Sequence, residues 1–452
     1  MSADEKLDPD PEMLAEALLA AGAAGAPALG ELRLCLGYEQ ALEAREKDQR
    51  RELPSWVDPH DLAQSGWGVI FALDERPAIE AGLRPLIERR QDQAGELYQR
   101  LAYKPHESGE RFLRRHGETP GVVRPEVLPY YLLIAGDPEK IPWKLQYELS
   151  VNHAVGRIAF DEVKSYGRYA KAVVEAETRG VGRPRRASLL SVEGDGVTRL
   201  LASHLAEPLQ QKWPRLGGGW ELDLRRRDDA SKDGLRRLLT GADLPGLLLA
   251  SCHGLRAAPG APEQEAVQGS LVCQDGGCFS GDDVDGCQVA GLTVMTFACY
   301  GAGTPVRDNY PDASPGAGPP AIALRPFVAR LPQEMLARGA LAVVGHVDRG
   351  WTYSFAWPDG ERDLTAVASL DDMLYRLLRG DRVGHALRPL CQRYKALAAD
   401  LAKDLELFKG RPELAESPKA KERLAFKWTV HNDARNFVIL GDPAVYVLGR
   451  KP

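Results

Sequence analysis

Two stretches of the chain are apolar without interruption and stop at glycine: LLLASCHG (247–254) and LTVMTFACYGAG (292–303). Runs of this kind predict strands buried on both faces, as in a parallel sheet covered by helices. GWGVIFAL (66–73), YYLLIAGD (130–137), GRIAF (156–160), ASLLSV (187–192) and WELDLRR (220–226) read as further strands. Between them, residues 77–102, 164–177, 196–211 and 232–241 carry helical patterns, and a hairpin is expected around GSLVCQDG. Alternation of this sort predicts an α/β fold.

Sheets of this class place their reactive groups at the carboxyl ends of the strands. Both apolar runs end on chemistry, His253 on the first and Cys299 on the second, with Gly254, Gly301 and Gly303 following. The His precedes the Cys by 46 positions (253 to 299), room for one hairpin or crossover. A thiol has an ordinary pKa of about 8.5, so it needs a partner to take its proton, and His253 is the candidate.

A His-Gly ending one strand and an Ala-Cys-x-Gly ending the next resembles the dyad of caspase-like cysteine peptidases, in particular the CHAT and gingipain branch. Three further segments resemble that branch: PYYLLIAGDPEKIPW (129–143) with AVGRIAF (154–160), LARGALAVVGHVDRGW (336–351), and NFVILGDPAVYV (436–447). The resemblance implies a caspase-like three-layer αβα fold with a mostly parallel central sheet, preceded by a smaller α/β subdomain in a gingipain-like tandem. Residues 1–62 are expected to form a helical appendage, 63–178 a non-catalytic α/β subdomain and 187–452 the catalytic domain. The Gly-, Pro- and Arg-rich TRGVGRPRR (178–186) marks the boundary. The turns AGDP (135–138) and LGDP (440–443) echo one another, which fits either a duplication or chance.

The resemblance also implies roles. Cys299 is the expected nucleophile and His253 the base, with backbone N–H groups of Gly254 and Cys299 as the oxyanion hole. Asp195 is expected either at the base of an arginine-binding pocket or as the cap of the helix that follows it, and both readings stand. Asp348 and Trp351 are the other pocket candidates. Cleavage after Arg or Lys is the expected preference. Arg307 and Arg325, in the Pro-rich segment 304–326 after the nucleophile, are candidate processing points, as are Arg183, Arg185 and Arg186 at the boundary. Expected partners are protein substrates and an upstream activating protease or sensor protein, in the defence or cell-death settings in which bacterial relatives work.

Composition narrows the classes. A formal net charge of −6 over 452 residues argues against broad nucleic-acid affinity. Seven cysteines without framework spacing point to a reducing compartment, and a cytoplasmic protein is expected. No apolar run reaches the length of about 18 residues that a membrane span needs. Cys252, Cys273, Cys278 and Cys287 lack the paired spacing of a zinc site, and SVEGDGVTRLL (191–201) has Arg199 where a dinucleotide loop has its third glycine. No cofactor or metal is expected. Two alternatives to a peptidase remain: a catalytically silent module on the same fold, and a cysteine acyl hydrolase or acyltransferase.

Overall fold

A computed structural model describes residues 53–119, 121–216, 219–310, 320–351, 364–411 and 417–449. Residues 1–52 of the helical appendage expected at 1–62 lie outside the described residues. In chain order the large sheet is built from β1 (Trp67–Ala72), β2 (Tyr98–Tyr103), β3 (Tyr131–Ala135), β4 (Ala154–Ile158), β5 (Arg186–Ser191), β6 (Glu221–Arg225), β7 (Leu247–Ser251), β11 (Thr293–Phe297), β14 (Ala342–His346) and β15 (Phe437–Gly441). The short strands β8 (His253–Gly254), β9 (Leu271–Val272) and β10 (Cys278–Phe279) form a separate three-stranded sheet, the expected hairpin joined by the His253 strand, and β12 (Gly303–Thr304) pairs with β13 (Phe327–Val328).

The ten strands lie in the order β2-β1-β3-β4-β15-β14-β11-β7-β5-β6. Every neighbouring pair is parallel except β14 with β15. The mostly parallel α/β architecture expected from the apolar runs is therefore present. β15 is the seam, pairing antiparallel with β14 on one side and parallel with β4 on the other. Strands from before and after the 178–186 boundary thus share one continuous sheet.

Side-chain alternation explains the layers. Trp67, Val69 and Phe71 of β1 point into one core with Leu83 and Leu86 of the helix Pro77–Ala94. Ile70 and Ala72 point into a second core with Phe112 and Leu113 of the helix Gly109–Arg115 and Leu145 and Leu149 of the helix Trp143–Ser150. Period-two alternation in β1 thus feeds helices on both faces, which is why these strands read as continuous apolar runs.

One expectation fails. Residues 77–102 do not form a single helix: it ends at Ala94, Gly95 takes φ 56, and Tyr98–Tyr103 forms the edge strand β2. Gly95 supplies a backbone that other residues adopt at a cost. Beyond it the alternation of Leu101 and Tyr103, both buried, has a sheet to pack on, so tertiary contact overrides helical pattern.

Candidate active site

The register of the central strands brings the two candidate residues to one sheet edge. β7 and β11 pair in parallel with Ser251 opposite Phe297, and His253 and Cys299 each lie two residues beyond that pair. Cys252 N–H donates to the Phe297 carbonyl at 3.3 Å, extending the pairing to the strand ends. A Cβ placed on Gly254 would stand 1.7 Å from the Cys299 carbonyl oxygen and 2.9 Å from its nitrogen. The backbone behind the imidazole therefore rests directly on the backbone that carries the thiol. Glycine is required at 254 by that contact.

The turn at Cys299 is tight and braced from beneath. Tyr300 has φ 58 and Asp348 has φ 76, both in the left-handed region that non-glycine residues seldom occupy. The two are joined: Tyr300 N–H donates to the Asp348 carbonyl at 2.7 Å, and Asp348 N–H to the Gly303 carbonyl at 3.1 Å. Conformations of this kind cost about 1–3 kcal/mol each and persist where surrounding bonds enforce them. Trp143, from the first half of the chain, packs against this loop, since a Cβ on Gly303 would meet its ring at 2.4 Å.

Cys299 is half-buried and its Sγ donates to the Gly350 carbonyl at 3.6 Å. Burial pushes the thiol pKa up, and the charge of Asp348 adds to that. The resting sulfur is therefore a thiol, and a base is needed to make it a nucleophile. Among the described residues, the Cys299 N–H donates to no protein carbonyl or side chain.

His253 has a partner the sequence reading did not assign to it. Its Nε2 lies 2.7 Å from Asp195 Oδ2, at a half-exposed position where the two side chains are 38% and 53% accessible. Asp195 is also the N-cap of the helix Gly196–Leu201: its Oδ1 accepts from Thr198 N–H at 2.9 Å, and Thr198 Oγ1 accepts from Asp195 N–H. The Thr198 N–H, and after it the imidazole, hold the Asp195 carboxyl below the usual carboxylate range. The signal that could have found this pair is strand order: β5 lies beside β7, so residues just past their carboxyl ends share one edge.

The other pocket candidates have internal partners too. The Asp348 side chain is fully buried and accepts from Asn309 N–H at 3.1 Å, Asn309 Nδ2 at 2.9 Å and Arg349 N–H at 2.7 Å. Burial, with the charge of Asp308, pushes its carboxyl up to about 7. Trp351 does flank a guanidinium, but it is the protein's own: Arg349 lies 5.2 Å from the Trp351 ring and 5.4 Å from the Tyr310 ring, and its Nη2 bonds Asp308 at 2.7 Å. Trp351 N–H in turn donates to Asp433 at 2.8 Å.

The boundary arginines are tied down. Arg183 donates to the carbonyls of Ala290, Pro245 and Gln288 at 2.7, 2.6 and 2.5 Å. Arg186 lies inside β5, paired with Glu221 and Asp243, and the Arg185 carbonyl accepts from Glu221 N–H. A protease needs several residues of loose chain around the bond it cuts, which these three lack in the folded protein. Arg325 lies in an exposed bend beside Leu324, which is 81% exposed, and its guanidinium pairs with Glu265 at 2.6 Å and Glu139 at 3.5 Å. Arg307 makes a bridge with Ala321, and the segment 311–319 between them lies outside the described residues.

The cysteines weighed for zinc are engaged separately, Cys273 with the Leu271 carbonyl at 3.6 Å and Cys287 with the Asp283 carbonyl at 3.3 Å. Among the described residues no three His, Cys, Asp or Glu side chains group to hold a metal ion. Nor is any described helix long and apolar enough to cross a membrane.

No family model matches the chain, and no curated protein matches it. Among solved structures it is similar to RgpB of Porphyromonas gingivalis in the complex of its pro- and mature domains, 13% identical, covering 85% of this chain and 80% of that one with a TM-score of 0.46. It is also similar to the Arg-specific cysteine proteinase gingipain R, 12% identical over 84% and 78% with a TM-score of 0.44. A third likeness is to separase in the Saccharomyces cerevisiae separase–securin complex, 10% identical over 70% of this chain and 16% of that one, TM-score 0.32.

Proposed function

We propose that the protein is a cysteine endopeptidase in which Cys299 attacks a peptide carbonyl and His253 manages the proton. The observation that supports this reading is the register pairing of β7 with β11, which brings His253 and Cys299 to one sheet edge with the Gly254 backbone against that of Cys299. The imidazole takes the Sγ proton as sulfur bonds to the carbonyl carbon. The resulting oxyanion is met by the backbone N–H of Cys299, assisted by that of Gly254. Collapse breaks the C–N bond, and the imidazolium returns its proton to the departing amine. Water, deprotonated by the same imidazole, then releases the acid from the thioester.

Residue preference in this proposal follows the motif resemblance, with Arg or Lys before the scissile bond. The burial that keeps the thiol protonated favours a latent form that a partner or a cut near Arg307 or Arg325 would release. The substrates would be proteins, met in a defence or cell-death pathway in the cytoplasm.

The test is incubation of the full chain with a denatured proteome and with synthetic peptide libraries, alongside Cys299→Ala. The expected result is a set of new termini found only with the unaltered chain and sharing one preceding residue. Identical termini from both proteins, under all conditions in which other cysteine peptidases cut, would count against the reading.

A further inference from the structure

We infer that Cys252 and Cys273 form a thiol–disulfide site: a bond between them, made by exchange with a small disulfide such as oxidised glutathione, draws the strand that carries His253 out of line, and reduction restores it. The bond rests on geometry alone, and its effect on hydrolysis rests on the peptidase reading. β8 and β9 run antiparallel with His253 opposite Val272 and Gly254 opposite Leu271, so one step further along the same ladder Cys252 faces Cys273. Their main chains turn away from each other. Cys252 N–H donates to the Phe297 carbonyl at 3.3 Å, and Cys273 N–H donates to the Gly277 carbonyl at 2.8 Å while its own carbonyl accepts from Gly276 N–H at 3.0 Å. The two therefore form a non-hydrogen-bonded pair, the kind whose side chains stand closest, with Cα atoms about 4.5 Å apart. A disulfide spans Cα separations of about 4.4–6.8 Å, so one can close here without a change of fold.

Both residues are 2% exposed and both thiols are free. Burial raises the Cys252 thiol pKa, and the neighbouring Cys273 thiol raises it further, which two sulfurs do only within electrostatic reach of each other. Strand alternation sets the remaining candidates apart. Cys278 pairs with Val272, so it lies on the face of the hairpin opposite to Cys273. Cys299 lies two residues past Phe297, which pairs with Ser251, and so takes the face of the sheet opposite to Cys252. Cys273 is also held where it is, because Gln274 N–H donates to the Ala230 carbonyl at 3.0 Å and Gln274 Oε1 accepts from Glu193 N–H at 2.8 Å.

The exchange balances with no further reagent. One cysteine, as thiolate, attacks oxidised glutathione and releases one glutathione thiol, and the other, giving up its proton, displaces the second. Two S–H bonds are lost from the protein, one S–S bond is gained, and the reagent leaves as two thiols. Because the thiolate is the attacking form, and burial pushes the Cys273 thiol up to about 12, the closed hairpin exchanges slowly. Parting of β8 and β9, two residues each, opens the route. Closing the bond brings the Cβ atoms from about 4.5–5.5 Å to about 3.8 Å. The base is the next residue along the chain, and a misplacement near 1 Å costs about 10²-fold in rate.

The test equilibrates the full chain, Cys252→Ala and Cys273→Ala with oxidised glutathione in mild urea, which opens the hairpin, then removes both and blocks free thiols with N-ethylmaleimide. Digestion of the unaltered chain should yield a peptide joined through Cys252 and Cys273, lost on treatment with dithiothreitol. In samples left unblocked, kcat/KM of the oxidised chain should be about 10²-fold below that of either variant treated in the same way, and within about twofold of it after reduction. Cys299 meets the same buffer in all three proteins, so only the difference between them is read. Cys252 and Cys273 both recovered with the maleimide, or joined to other cysteines, would overturn the inference. Equal rates for the joined chain and the variants would overturn it as well. Should no form hydrolyse any peptide, the peptidase reading fails, and the joined peptide still decides whether the site exists.

Discussion

At the carboxyl ends of β3 and β4 the chain closes over its own polar groups, whereas a few strands along the same sheet edge, beyond β7 and β11, it leaves an imidazole half-exposed and a thiol half-buried. In the first region Arg157 is fully buried: it donates to Gln146 at 2.9 Å, to the Gly136 carbonyl at 2.9 Å and to the Pro142 carbonyl at 3.2 Å, with its guanidinium 4.7 Å from the Trp143 ring. Burial pulls that guanidinium down to about 10, yet its donors are met. In the second region the side chains at the strand ends are steered by single contacts, His253 by Asp195 and Cys299 by Gly350. A saturated strand end is a joint, and one with unspent hydrogen-bonding capacity is a place to do chemistry. The difference lies in the residues placed there, since both regions have the same strand geometry.

The two Gly-Asp-Pro turns make the same point. The Asp137 carboxylate accepts from the nearby Glu139 N–H at 2.8 Å, and its carbonyl from Lys140 and Ile141 N–H at 3.0 and 2.9 Å, all within the turn. Asp442 is fully buried and holds Trp67 Nε1 at 3.0 Å, Arg90 Nε at 2.8 Å and Ala444 N–H at 3.0 Å, with Glu177 completing the Arg90 pair at 2.6 Å. One tetrapeptide closes a local turn, and its echo is the ionic centre of the seam where β15 meets β4.

Removing a side chain in each region should break different properties. Cys299→Ala or His253→Ala should lower peptide hydrolysis by about 10³-fold or more with little change in unfolding midpoint. Arg157→Met should do the reverse: by stripping donors from two buried carbonyls it should cost on the order of 3 kcal/mol in denaturant unfolding. Hydrolysis per folded molecule should change by less than about tenfold. A smaller loss is expected from Gly254→Ala. Its methyl must push the Cys299 carbonyl away, and activity should fall by roughly 10²-fold through a displaced dyad while the chain still folds. Activity equal to that of the unaltered chain would mean that the contact between the two backbones is not what aligns them.

A further, pH-dependent effect concerns the support beneath the nucleophile. Asp348 has a folded pKa of about 7, above its ordinary value of 3.8. A carboxyl raised in this way binds a proton in the fold that the unfolded chain has already released. Its contribution to stability therefore falls as pH rises from about 4 to about 7 and is flat above that. Three pH units correspond to at most about 4 kcal/mol. Asp348→Asn should flatten that part of the stability–pH curve, measured by urea midpoints at pH 4.5, 6 and 7.5. An unchanged slope would show that Asp348 is ionised in the fold across the range.

Much of this architecture is readable in the chain before it folds. The runs at 247–254 and 292–303 announce buried strands, their glycines announce the turns, and the residues between run and glycine are the candidates for chemistry. β2 was hidden because Tyr98–Tyr103 carries too few apolar residues to outvote the helical pattern before it, and only its place at the edge of β1 makes it a strand. The contact between Asp195 and His253 was hidden for another reason: the residues are 58 positions apart and meet because β5 lies beside β7. Strand order is set by how whole layers pack, and no local pattern encodes it. Burial of Asp348 and the pairing of Trp351 with Arg349 were invisible likewise, since a pocket wall and a buttress carry the same residue types.

The most direct test of the central claim is covalent. A peptidyl acyloxymethyl ketone, which alkylates a cysteine only when a neighbouring base assists it, should add one mass to the chain, mapped to Cys299 by peptide sequencing. It should add none to His253→Ala, while Cys252, Cys278 and Cys391 stay unmodified in both. Equal labelling of Cys299 with and without the imidazole, or modification spread evenly over the cysteines, would contradict the pairing on which the account depends.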